Sequence, residues 1–195
     1  MQAHNPGSHL TRHHHVTIGT GAAQEDYDFH TRVLGMKSVK KTLFYDGAVP
    51  IYHLYYGNDR GDESSLVTTF PMAHTGVRAT PGSGQVSYVS LSAPSAAVDY
   101  WRARLLEHGF AVRDVERFGE RYVDFQHPCG VNYAIVGVDG DVRPPRSAGP
   151  VPAEVMLRGT HSIGVSTRSM DFMDEFMEVA WGGRRIGEDG PLVRY

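Results

Sequence analysis

The sequence predicts an α+β fold built from tandem βαβββ modules with curved mixed sheets. Two observations predict it. A short strand pattern recurs at a constant spacing of 73 residues, as His15-Val-Thr-Ile, Tyr88-Val-Ser-Leu and His161-Ser-Ile-Gly, and repetition at a fixed period marks a duplicated unit. Each copy is followed by one amphipathic helix that stops at a glycine, and three strand-like runs follow each of the first two helices.

The first unit spans 12–71. From His15, the stretch Arg12-His-His-His-Val-Thr-Ile-Gly-Thr20 alternates like a strand, with His15, Thr17 and Gly19 on one face and Val16 and Ile18 on the other. The same alternation puts His14 and His15 on opposite faces. A helix is expected over Ala22–Leu34, with Tyr27, Phe29, Val33 and Leu34 as its apolar face and Gly35 as its stop. Strands are expected over Ser38–Phe44, Ile51–Tyr56 and Ser65–Phe70, separated by turns rich in Gly, Asn and Asp. Residues 72–84 read as a linker.

The second unit spans 85–138. Its helix, Ser95–His108, presents Val98, Trp101, Leu105 and Leu106 and stops at Gly109. Its strands are Ala111–Arg117, Arg121–Phe125 and Val131–Val136. A proline-rich linker, 139–156, leads to a third unit, 157–195, whose helix Ser169–Trp181 stops at Gly182. Ser95 and Ser169 are placed to act as N-caps. The third unit then offers only the start of a second strand. Such an unfinished unit exposes a sheet edge and one helix face. It is expected to pack on the first two units, to pair with another copy in a homo-oligomer, or to belong to a longer protein.

A formal charge of −3 gives no electrostatic footprint for nucleic acid or an anionic membrane. The single cysteine, Cys129, excludes an internal disulfide and fits a reducing, cytoplasmic setting. No apolar run is as long as a membrane span.

His15, on the inner face of a first strand, is well placed to hold a metal, because imidazole is a common ligand and a strand fixes its direction. The competing reading is a solvated N-terminal histidine run. His161 holds the same place in the third unit and is read as structural. His53 shares a side of its strand with Tyr55 and is read as an inter-sheet or surface contact. His127, before Pro128, is read as a turn residue, and Lys37, Lys40 and Lys41 as a solvated strand face. Cys129 lies in a turn whose basic neighbour in sequence is His127, and the sequence favours an unreactive thiol over a reactive one. The second unit carries Tyr88 at its first-strand position and Ala134 on its last strand, neither of them a metal ligand, and Leu66–Phe70 of the first unit contains no carboxylate. One imidazole does not hold a metal ion; three ligands on one face are needed. There is no phosphate loop, nucleophile elbow or paired-cysteine zinc pattern.

Tandem βαβββ units with a first-strand histidine resemble the vicinal oxygen chelate superfamily: glyoxalase I, the bleomycin-resistance proteins and the extradiol dioxygenases. The resemblance is closer at His14-His-Val-Thr-Ile-Gly-Thr-Gly-Ala-Ala-Gln-Glu-Asp-Tyr-Asp-Phe29, Val39-Lys-Lys-Thr-Leu-Phe-Tyr-Asp-Gly47, Pro50-Ile-Tyr-His-Leu-Tyr-Tyr-Gly57, Val67-Thr-Thr-Phe-Pro71 and Arg117-Phe-Gly-Glu-Arg-Tyr-Val-Asp-Phe-Gln-His-Pro128. These stretches are similar to the hydroquinone-type ring-cleaving dioxygenases, which run to four units. The resemblance implies a non-haem Fe(II), or alternatively Mn(II), held by two histidines and one carboxylate. It implies His15 as the first-strand metal ligand, His14 as an acid/base at the substrate and Thr17 as its neighbour. The other ligands would come from a C-terminal module that this chain lacks.

The resemblance therefore implies a ring-cleaving extradiol-type dioxygenase, or the N-terminal part of one, that opens small hydroquinone-like aromatic diols with O2. Two alternatives stand beside it. The chain could be a metal-free binding module for an aromatic molecule, as the bleomycin-resistance proteins are, or a fragment inactive on its own.

Overall fold

The structure, a computed structural model, describes residues 13–45 and 47–195. Arg12, where the first unit begins in sequence, and Asp46, in a turn, lie outside the described residues. The α+β architecture is the expected one.

The first unit contributes β1 (His15–Thr20), α1 (Ala23–Asp28), β2 (Lys37–Phe44), β3 (Ile51–Gly57) and β4 (Leu66–Pro71). They form a sheet of order β1-β4-β3-β2 in which β1 and β4 are parallel. Alternation sends Val16 and Ile18 into the core beside α1 and leaves His15 and Thr17 on the helix-free face.

The single helix expected over Ala22–Leu34 is instead six α-helical residues followed by a wide π turn, Phe29–Val33. Leu34 N–H donates to the Phe29 carbonyl at 3.0 Å, and Met36 N–H to that of His30 at 2.8 Å. The extra residue in the turn lets Phe29, His30, Val33 and Leu34 all point inward. Gly35 closes it at φ +69°, where a Cβ would stand 2.6 Å from Val151 Cγ2. The third unit repeats the device. After α3 (Asp171–Glu175) comes the π turn Phe176–Ala180, closed by Trp181 N–H donating to the Phe176 carbonyl at 3.2 Å and by Gly182 at φ +66°.

The second unit contributes β5 (Gln85–Ala93), α2 (Val98–Glu107), β6 (Arg113–Arg117), β7 (Glu120–Gln126) and β8 (Asn132–Gly137). Neither Ser95 nor Ser169 caps a helix. Pro94 sets up a 3-10 turn, Ser95–Ala97, that runs straight into α2. Ahead of α3, the Thr167 hydroxyl makes the local turn bonds with the Ser169 backbone. The first strand of the third unit, β9 (Gly159–Ser166), adds antiparallel to β5, giving a second sheet of order β6-β7-β8-β5-β9. The start of one strand expected near the C-terminus is a two-stranded hairpin, β10 (Gly187–Asp189) with β11 (Leu192–Arg194), apart from both sheets.

The helix-bearing faces of the two sheets share one core, with Leu34, Leu54, Tyr56 and Val67 of the first unit against Val89, Leu91, Trp101, Phe125 and Tyr133 of the second. The proline-rich stretch is packed into the same core through Val151, Met156 and Leu157. Trp101 Nε1–H donates to the Val155 carbonyl at 2.8 Å. Arg143 reaches the carbonyls of Ser64 and Thr160, each at 2.9 Å, and Arg146 reaches those of Gly35 and Met36. Burial pushes the Asp141 carboxyl up, but hydrogen bonds from Arg143 and Ser92 outweigh it and hold it at about 2. By contrast Phe172, Val179 and Trp181 of the third unit's helical segment are exposed. Among the described residues no helix is long and apolar enough to cross a membrane.

Candidate functional site

The register of the first sheet assembles its helix-free face. Parallel pairing sets His15 beside Leu66, Thr17 beside Thr68 and Gly19 beside Phe70, and antiparallel pairing sets Tyr55 beside Thr68. A hydrogen-bonded row crosses three strands there. Tyr55 Oη lies 3.0 Å from His53 Nδ1, His53 Nε2 lies 3.2 Å from Thr68 Oγ1, and Thr68 Oγ1 lies 2.9 Å from Thr17 Oγ1. His53 stacks on Phe70 at 4.1 Å. Burial, then the nearby His15 and Lys40, holds His53 below the usual histidine value, so it stays neutral near neutral pH. His53 is thus more than the contact residue expected: it joins the face that carries His15 and Thr17. Period-2 spacing with Tyr55 was the available signal.

His15 is exposed on this face, and its Nδ1 lies 2.8 Å from His14 Nδ1. The two rings meet edge to face at 5.1 Å. The opposite-face expectation therefore fails for His14. It precedes β1, so strand alternation does not govern it, and its ring turns toward His15. None of β1–β4 contains an aspartate or glutamate, so these four strands bring no carboxylate to His15.

The equivalent face of the second sheet is closed by its own side chains. Tyr88 occupies the first-strand position. Arg117 pairs with both oxygens of Asp124, at 2.8 and 2.6 Å, between the rings of Tyr88 and Tyr122. His161 lies 3.8 Å from Glu120, which also accepts from Arg194 and Tyr122. That fits the structural role expected for His161.

A third cluster joins the two units and was not read from the sequence. Asp26 Oδ2 accepts from Tyr56 at 2.7 Å and Thr69 at 2.6 Å. His30 stacks flat on Tyr56 at 4.2 Å, bonds the Asp26 carbonyl through Nδ1 and lies 3.1 Å from Tyr133 Oη through Nε2. His127 Nε2 stands 3.3 Å from Asp26 Oδ1 without regular hydrogen-bond geometry, and the same oxygen has His30 Nδ1 at 3.5 Å. His127 Nδ1 accepts from the Cys129 N–H at 3.1 Å, the turn role expected of it, and also meets Cys129 Sγ at 2.9 Å. Burial holds His30 down at about 4. Burial also opposes charge on His127, but Asp26 and Cys129 outweigh it and raise His127 to about 9. Burial works against ionised Asp26 too, yet His127, His30, Thr69 and Tyr56 together keep it below the usual carboxylate value. Asp26 and His30 sit four apart on the inward stripe with Phe29 and Val33. That stripe was the signal in the sequence, hidden because only its apolar members were counted.

Among the described residues, Asp26, His30 and His127 form a group of three ligating-type side chains whose donor atoms lie within 4.8 Å of one another. Both nitrogens of His30 and one oxygen of Asp26 are already bonded, so an ion would enter only by breaking those contacts. As it stands the cluster is a buried polar bridge between the units.

No protein-family model matches the chain. It is 44% identical over 185 residues to a chlorohydroquinone/hydroquinone 1,2-dioxygenase of Sphingobium indicum, covering 93% of this chain and 58% of that protein. It is 34% identical over 183 residues to a Bacillus subtilis protein provisionally named the ring-cleaving dioxygenase MhqO, again covering 93% and 58%. A crystal structure from Bacillus subtilis, provisionally named a dioxygenase, superposes with a TM-score of 0.85 at 34% identity over 93% of this chain and 58% of that one. A glyoxylase/bleomycin resistance protein/dioxygenase domain from Frankia shares the fold, with a TM-score of 0.53 at 15% identity over 67% of this chain and 95% of that one. The chain thus spans 58% of the length of the curated relatives it matches at 44% and 34% identity.

Proposed function

The chain is 44% and 34% identical to ring-cleaving dioxygenases of which it spans 58%, and we propose that it belongs with them in the vicinal oxygen chelate superfamily and supplies one wall of an active site that opens a hydroquinone-like diol with O2. The observation that carries this reading is the placement of His15 and Thr17 side by side on the helix-free face of the first sheet.

The dioxygenase relatives imply a metal cofactor, and we assign it as iron(II), with manganese(II) as the other candidate. The fit is partial. His15 offers Nε2 while its Nδ1 is engaged by His14, and the strands around it bring no carboxylate. A second histidine and a carboxylate would have to come from a further module. When bound, the metal would bring diol and dioxygen together on one open face.

His14 would hold or move a proton at the substrate oxygen, a task suited to an imidazole. Thr17 would present its hydroxyl to the same oxygen, with its direction set by the row through Thr68, His53 and Tyr55. Tyr55, Phe70 and His53 would form the aromatic wall. A cytoplasmic location belongs to this reading and rests on the single cysteine. Self-association also belongs to it, because Phe172, Val179 and Trp181 present an apolar helix face.

The test is oxygen uptake with hydroquinone and added iron(II), in the longest natural form of the protein. His15→Ala should abolish uptake, and a variant that keeps the parent rate would remove His15 from the metal. That β1–β4 bring no carboxylate favours a second reading, a metal-free aromatic-binding module. Hydroquinone binding that survives a chelator and is indifferent to His15→Ala would select it.

A further inference from the structure

Away from the His15 face, one arrangement has the parts of an activated nucleophile. Cys129 is exposed in the turn between β7 and β8, and its Sγ lies 2.9 Å from His127 Nδ1. His127 is buried, and its other ring nitrogen faces Asp26 Oδ1 at 3.3 Å. Asp26 is anchored in turn by Tyr56 and Thr69. Carboxylate, imidazole and thiol therefore stand in line from the core to the surface. This is the order in which an acid orients a base and the base takes the proton of a nucleophile.

The cysteine is not an isolated one. His127 Nε2 is buried, makes no hydrogen bond and faces Asp26 Oδ1, which also has His30 Nδ1 at 3.5 Å. Backbone amides of Val131 and Gly21 also favour the thiolate; burial opposes it, but His127 and these amides together hold the Cys129 thiol below its ordinary value. The nearest competing base, His30, has its ring 5.8 Å from that of His127 and is kept neutral by burial.

We propose that Cys129 is a modification site, a thiolate generated by His127 and Asp26 that takes soft carbon electrophiles from solvent. The sulfur lone pair forms a C–S bond as the leaving group departs with the electrons of its bond to carbon. With iodoacetamide that group is iodide. The thiol proton moves to His127 Nδ1, which then gives up the Cys129 N–H it accepts when neutral, and the Asp26 carboxylate balances the imidazolium charge. No oxidant or reductant takes part. The step needs neither iron nor the His15 face, so it stands or falls apart from the proposed ring cleavage.

The test is alkylation by iodoacetamide read by intact mass, at pH 7 with a chelator present. Cys129 is the only cysteine in the chain, so a single adduct reports it and Cys129→Ser should give none. The folded protein should react several-fold faster than the same chain unfolded in urea, because a depressed thiol pKa raises the thiolate fraction near neutrality by more than the accompanying loss of nucleophilicity. Asp26→Asn, if folded by circular dichroism, should lose most of that advantage. Folded protein that labels more slowly than the unfolded chain would overturn the proposal, and so would a folded Asp26→Asn variant with an unchanged rate. Should Asp26→Asn unfold, the comparison on the parent chain alone decides.

Discussion

Thr17 and Thr68 face each other across the parallel β1–β4 pair with their Oγ1 atoms 2.9 Å apart, and Thr68 is fully buried. Each hydroxyl has one proton, so the row Tyr55–His53–Thr68–Thr17 has only two consistent directions. If Tyr55 donates to His53 Nδ1, then His53 donates to Thr68 and Thr68 to Thr17, which leaves the Thr17 proton aimed at the open face. In the reverse direction Thr17 offers a lone pair there instead. A tyrosine on β3 thus decides whether a threonine on β1 acts as donor or acceptor.

Thr68→Val cuts that row while keeping the side-chain shape. We expect a stability loss of about 1 kcal/mol in urea titrations, the net worth of a typical hydrogen bond. Hydroquinone turnover, or affinity for an aromatic ligand, should fall roughly three- to tenfold as Thr17 loses its fixed direction. Tyr55→Phe should weaken the same function and cost less stability, because Tyr55 is half-buried whereas Thr68 is fully buried.

Stability should peak near pH 6.5. His30 is held at about 4 by burial, below its unfolded value, so its contribution is present above about 6.5 and is lost as pH falls through about 4. Depressed Asp26 adds loss on the same acid side. His127, raised to about 9, works in the other direction, with its contribution complete below about 6.5 and lost as pH rises through about 9. The acid-side loss from His30 alone is on the order of 3 kcal/mol. Urea midpoints measured from pH 4 to 9 check both limbs, and a flat profile would refute the assignment of charge in the cluster.

Gly35→Ala and Gly119→Ala separate backbone strain from crowding. Both glycines have positive φ, +69° and +73°. A Cβ at Gly35 meets Val151 at 2.6 Å, whereas nothing lies within 4 Å of one at Gly119. Gly119→Ala should cost about 1 kcal/mol, and Gly35→Ala should exceed it by roughly 1–3 kcal/mol. Equal losses in thermal melts would mean that Val151 yields freely.

Trp101→Phe removes the bond to the Val155 carbonyl and leaves a small void under the proline-rich stretch. We expect a loss of about 2 kcal/mol, read as a lower urea midpoint at an unchanged slope.

The architecture was legible because it repeats. The 73-residue spacing, the glycine stops after Leu34, His108 and Trp181, and the alternation of His15–Gly19 all follow from local chain geometry. His15 and Thr17 could be placed on the helix-free face for the same reason. What local reasoning missed involves partners distant in sequence. Nothing near Asp26 reveals that His127 lies beside it, and nothing near Cys129 reveals a carboxylate behind its histidine. The wide turn at Phe29–Val33 was hidden too, because an amphipathic stripe reads the same whether or not one helical bond is widened. The stretch 139–156 read as a linker on its prolines, yet Arg143, Arg146 and Val151 make it part of the core.

That last packing has a thermodynamic consequence. The Arg146 guanidinium holds carbonyls at the end of the first repeat, Arg143 ties that repeat to β9, and Val151 and Met156 fill the space between the two repeats. Neither repeat can come apart without stripping apolar area and backbone acceptors from the other. The two repeats should therefore melt as a single cooperative species, in one calorimetric transition rather than two.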